Sequence, residues 1–143
     1  MLSWLTVRVI VPFFPVGIDL FLRILVARDV LQWWEILDVK TVAIAGAFFC
    51  FLIAIEANDE PKIRSDEQYQ NGLKTFRVWM ILAGATLAIL FGTTTFAELV
   101  DVKNGSPMFR AMVWPICLIV SLVVVTFSIG SAIVADARYQ FRF

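Results

Sequence analysis

Asp19 and Arg23 stand four residues apart in Trp4–Ala27, a stretch otherwise apolar except for Arg8. On a helix this spacing sets a carboxylate one turn before a guanidinium, the favourable order for an i,i+4 pair. Two chemistries follow. One is a structural ion pair, favoured because an unpaired carboxylate at membrane depth costs several kcal/mol. The other is a cation or proton site. In that reading Asp19 faces the bundle interior and, with Glu98 and Asp101 at the same depth, forms an acidic outer mouth. Lys40, Lys103 and Arg110 fall on that side too and oppose the field.

Elsewhere reactive chemistry is scarce. The chain has no histidine, which removes the commonest general base, haem ligand and transition-metal ligand. It contains no P-loop, GxGxxG, HExxH or CxxC pattern, and no Ser or Cys beside a base. A non-enzymatic protein without cofactor or metal is expected. Twelve Lys+Arg against 12 Asp+Glu leave no basic surface for nucleic acid. Cys50 and Cys117 both fall in apolar runs, which favours reduced thiols over a disulfide or metal pair.

The elements that must position these groups are membrane spans. Val78–Ala97 and Ala111–Ala135 are uncharged runs of 20 and 25 residues, and about 20 apolar residues cross a bilayer core of roughly 30 Å. Thr41–Ile55 supplies a shorter uncharged run. Trp4–Ala27 is read as a mature helix rather than a signal peptide, because Asp19 and Arg23 interrupt it and Leu25-Val26-Ala27 is a poor cleavage site. Its Pro12 is expected to bend it. The expected fold is an all-α integral membrane protein, with four transmembrane helices in a compact bundle with short loops. One membrane domain covers 1–143, with spans at about 5–26, 36–56, 78–98 and 111–135 and a loop at 57–77. Arg28–Val39 reads as an amphipathic stretch in the headgroup layer, and Asn104-Gly105-Ser106-Pro107 as a tight turn. Trp4, Trp33, Trp34, Trp79 and Trp114 all fall near span ends, as interface anchors do.

An even number of spans places both termini on one side. That side holds Arg8, Lys62, Arg64, Lys74, Arg77, Arg138 and Arg142, and the other holds Arg23, Arg28, Lys40, Lys103 and Arg110. Seven against five predicts cytoplasmic termini, and a bacterial inner membrane is the expected location. Small residues mark helix contacts in lipid. Gly84, Ala88 and Gly92, extended by Thr95, form one stripe; Thr41/Ala45, Ala43/Ala47, Ser128/Ala132 and Ser131/Ala135 form shorter ones. Packing within the bundle is the simpler use, and a homo-oligomer interface is the other.

Ser65-Asp66-Glu67-Gln68 resembles a capping box that starts a short helix after Pro61. The mixed charges of the loop, Glu60, Arg64, Asp66 and Glu67, and the tail residues Arg138 and Arg142 are candidate contacts for a soluble cytoplasmic protein partner. The tail, with aromatics alternating after Arg138, suits headgroup anchoring or strand addition. The functional expectation is a sensor or anchor subunit in the lipid bilayer, homo-oligomeric, that docks such a partner. A bacterial stress or phage-defence complex is assigned as its setting by class-level association alone. A small oligomeric ion channel or transporter is the alternative.

Overall fold

A computed structural model describes residues 2–27, 36–59 and 67–139. They form α1 (Leu2–Ala27), α2 (Val39–Asp59), α3 (Glu67–Asn104) and α4 (Met108–Tyr139). The fold is all-α, a four-helix bundle, and all four helices are long and apolar enough to cross a membrane, compatible with an integral membrane protein. Ion pairs and packed clusters show the helices alternating in direction. Arg8 meets Glu56, and Ala57, Leu73 and Ala135 cluster, at what we call the terminal end. Lys40 meets Glu98 at the far end.

The bundle is organised around α2. In its most apolar stretch 61% of the residues are buried, against 6% in α1, which lies on the outside with Val11, Phe14, Phe21 and Leu25 exposed. The inner faces repeat at alternating steps of four and three. On α4 the buried set includes Trp114, Leu118, Ser121, Val125, Ser128, Ala132 and Ala135. On α2 it includes Val39, Ala43, Gly46, Cys50, Ile53 and Ala57. A 3.5-residue repeat keeps one seam facing its neighbour when helices pack at shallow left-handed angles. Gly46 lies deepest in this seam. A Cβ placed there sits 2.5 Å from Val125 Cγ2 and 2.9 Å from Leu87 Cδ1, so hydrogen alone fits between α2, α3 and α4. Of the short stripes, Ala43, Ala45, Ala47, Ser128, Ala132 and Ala135 are buried.

Three boundaries are corrected. The loop expected at 57–77 shrinks from both sides, since α2 continues to Asp59 and α3 starts at Glu67. Hydropathy locates where a run stops being apolar, not where a helix stops. Leu73, 1% exposed, packs on Ala57 and Ala135 with Tyr69 and Phe76 beside it, so tertiary contacts carry the helix past the apolar run. Glu67 thus opens a 38-residue helix, not a short one, of about 57 Å at 1.5 Å per residue. The tail from Asp136 to Tyr139 likewise belongs to α4. Gln140–Phe143, Arg28–Glu35 and 60–66 lie outside the described residues. Of the expected amphipathic stretch, Ile36–Asp38 is non-helical and Asp38 caps α2.

That cap is explicit. Asp38 Oδ2 accepts from Thr41 Oγ1 at 2.9 Å, and Asp38 Oδ1 from the Lys40 amide at 3.3 Å, satisfying donors that a helix start leaves open. The α3–α4 turn forms as expected, with Gly105 at φ 65°, a left-handed conformation that glycine adopts without a Cβ penalty. α1 runs continuously through Pro12 and Pro15.

Candidate functional site

The charged side chains at membrane depth gather at the two bundle ends. At the far end Arg23 Nε donates to Asp19 Oδ2 at 2.8 Å, the expected pair, and Arg23 Nη2 approaches Asp38 Oδ2 at 3.8 Å. The guanidinium therefore joins α1 to the cap of α2. Lys40 Nζ donates to Glu98 Oε2 at 2.6 Å, tying α2 to α3. Asp101 Oδ1 and Oδ2 accept from the Phe109 and Arg110 amides at 3.1 and 2.6 Å. There it caps α4, where a negative charge is also favoured by the helix dipole.

Each of the three acids of the expected outer mouth has a partner. Asp19 and Glu98 each meet a cation, and Asp101 meets a helix N-terminus. Along the chain Lys40 and Arg110 are only opposing charges on the same side; folding gives each a specific partner. The i,i+4 spacing exposes Asp19–Arg23, whereas Lys40–Glu98 joins residues 58 apart, and no local pattern encodes it.

At the terminal end Arg8 pairs with Glu56, whose side chain is 13% exposed and whose Oε2 has no partner. This link, with the Phe13 ring 6.2 Å from that of Phe49, fastens α1 to α2. Arg8, counted with the terminal side in the sequence, meets a carboxylate there. The spacing from Lys40 to Glu56 is roughly 24 Å on α2, so the two polar layers bracket an apolar slab.

Trp114 departs from the interface-anchor expectation. It is 2% exposed and lies in the core with Val39, Cys117 and Leu118. The Arg110 guanidinium carbon sits 3.9 Å above its ring centroid, a cation–π contact. Trp79, 62% exposed, does face outward. Trp4, Trp33 and Trp34 have no described side chains.

The stripe Gly84, Ala88, Gly92 is split. Gly84 is buried, with Phe51 and Cys50 carbons 3.1–3.3 Å from a Cβ placed there, but Ala88 is exposed and nothing lies within 4 Å of Gly92. The reason is angular. Four residues advance a helix about 400°, so each step drifts about 40°, whereas the contact seam runs through Met80, Gly84, Leu87 and Thr94. Sequence reasoning missed Gly46, whose i+4 neighbour Cys50 is also small and buried; that signal was present.

Cys50 and Cys117 are free and buried. Ser128 faces the Cys50 thiol, yet neither it nor Ser121 makes a conventional hydrogen bond. Of the docking candidates, Glu67 and Arg138 are exposed at the terminal end; Glu60, Arg64, Asp66 and Arg142 lie outside the described residues. Compared with protein-family models, curated proteins and solved structures, the chain matches none.

Arg23 holds two carboxylates, and this makes a graded prediction. Asp19→Asn leaves Asp38 on the guanidinium and should cost under about 1 kcal/mol. Arg23→Gln strands both acids and should cost about twice as much or more. Thermal unfolding in mild detergent reads the order; equal costs would remove Asp38 from the cluster.

Proposed function

We propose that this chain is a non-enzymatic, non-conducting membrane subunit that anchors or senses and presents its terminal end to a soluble cytoplasmic protein. The observation that carries the reading is the extension of α3. Glu67–Arg77 precedes the uncharged run, and Leu73 fixes it to α2 and α4. A helix held by its neighbours offers its exposed Glu67, Gln70, Asn71 and Lys74 on a rigid ledge, with Arg138 at the same end. Rigid presentation lowers the ordering cost of binding. The pairing of Asp19 and Glu98 and the capping role of Asp101 weigh against a permeation site, which needs acids open to water.

The seven-to-five count of basic residues supports cytoplasmic termini; a bacterial inner membrane is the location proposed with it. Exposure of Ala88 and Gly92 supports self-association through α3; a stress or phage-defence complex remains the setting we assign by class.

The test combines labelling, crosslinking and flux. A cysteine at Lys74 should react only from the cytoplasm and one at Ser106 only from outside. Photocrosslinkers at Gln70 and Lys74 should capture one and the same soluble protein, which a crosslinker at Val102 does not capture, and Lys74→Glu should reduce that adduct severalfold. Liposomes carrying the protein should show background cation flux. Cation flux abolished by Asp19→Asn in a folded protein, with no adduct at Gln70 or Lys74, would establish the channel instead.

A further inference from the structure

A groove runs between α3 and α4 at the terminal end. Its deeper part is a cavity of about 430 Å³ walled by Phe76, Trp79, Val123 and Phe127, with Ser128 and Ser131 on the α4 side. A second cavity of about 610 Å³ shares Phe76, Phe127 and Ser131 and continues to Arg138. Trp79 and Phe127 are 62% and 70% exposed, so the groove opens sideways, towards acyl chains when the bundle lies in a bilayer.

We propose that this groove binds one anionic glycerophospholipid, with its phosphate at Arg138 and one acyl chain along Phe76, Trp79 and Phe127. Three independent features select this ligand chemistry. The walls are apolar and aromatic over the length that a chain occupies. Arg138 stands in the last turn of α4, at the mouth, where a planar guanidinium suits phosphate, and basic pockets between membrane helices hold anionic headgroups. Asp136 is buried and is not part of the groove lining.

The third feature is the polarity of the α4 wall. Ser131 lines both cavities and lies roughly 10 Å below Arg138 along the helix, where its hydroxyl is a donor on an otherwise apolar wall. Ester carbonyls sit below the phosphate and provide acceptors that a hydrocarbon tail, or an apolar helix from a second chain, does not. The proposal depends on this groove and on membrane insertion, not on a cytoplasmic partner.

Full-length protein, delipidated in mild detergent and given equal phosphatidylglycerol and phosphatidylcholine, should retain one phosphatidylglycerol per chain by native mass spectrometry. The preference should be about fivefold, the factor for about 1 kcal/mol from one basic group near a headgroup. Arg138→Gln should remove the preference, and Arg138→Lys should keep most of it. Ser131→Phe should expel lipid of both kinds; should it misfold, Ala83→Leu on the α3 wall serves the same end. Inorganic phosphate should not displace the lipid. Equal retention of the two lipids, an unchanged preference in Arg138→Gln, displacement by phosphate alone, or a dimer whose groove is closed to lipid would each overturn the assignment.

Discussion

Gly46→Leu abolishes the folded bundle, and Gly46→Ala lowers its thermal stability, in preparations where Gly92→Leu folds normally. The three outcomes follow from space. At Gly46 the nearest atom to an added Cβ is Val125 Cγ2, at 2.5 Å. Valine is stiff about χ1, so relief requires α2 and α4 to separate. Alanine in place of glycine gains roughly 0.5–1 kcal/mol of helix propensity but meets an overpacking cost of about 1–3 kcal/mol. The net sign at Gly46 is destabilising. Leucine multiplies the overlap at a position where three helices converge. Gly92 has nothing within 4 Å, so leucine there adds bulk to an open face; any loss it causes appears as a lower oligomer mass, not as misfolding. Recovery from size exclusion and thermal unfolding in detergent distinguish the cases. Parental stability in Gly46→Leu would show that α2 does not pack on Leu87 of α3 and Val125 of α4 as described.

Arg8→Gln costs more than Glu56→Gln, though the two remove the same ion pair. Glu56 is the more buried partner, 13% against 35% exposed, and one of its oxygens already lacks a partner. Without Arg8 a largely buried carboxylate is left uncompensated in the polar terminal layer of α2, a loss of about 2–3 kcal/mol, the upper part of the range for a buried group left without its partner. Without Glu56 the long Arg8 side chain is free to extend towards water, and the loss should stay near 1 kcal/mol. The double variant should cost less than the sum, because each single change strands its partner. Since α1 packs chiefly against α2, the first segment to become protease-sensitive in Arg8→Gln should be α1. Equal losses from the two single variants, or strict additivity, would reduce the pair to a surface contact.

Some of this architecture was legible from composition and periodicity. The apolar lengths of Val78–Ala97 and Ala111–Ala135, the Asn104–Pro107 turn and the Asp19–Arg23 spacing are local properties. Hydropathy, a positive-φ glycine and an i,i+4 pair each depend on a few neighbouring residues, so the chain displays them before it folds. The same reasoning overextended at 57–77, where helix persists because Leu73 meets Ala57 and Ala135, and at Ala88 and Gly92, where a fourfold repeat drifts off the contact seam.

What remained hidden depends on which helices meet and how each is rotated. Lys40 and Glu98, Arg8 and Glu56, and Gly46 with Val125 and Leu87 are separated by tens of residues, and their conjunction is set by the 3.5-residue seams that pack α2 against its neighbours. Sequence alone therefore determined four apolar helices and where charge enters them. Tertiary structure decided whether those charges stand open or neutralised, because a carboxylate's partner across a bundle is chosen by helix rotation and depth, which no window along one strand of chain contains.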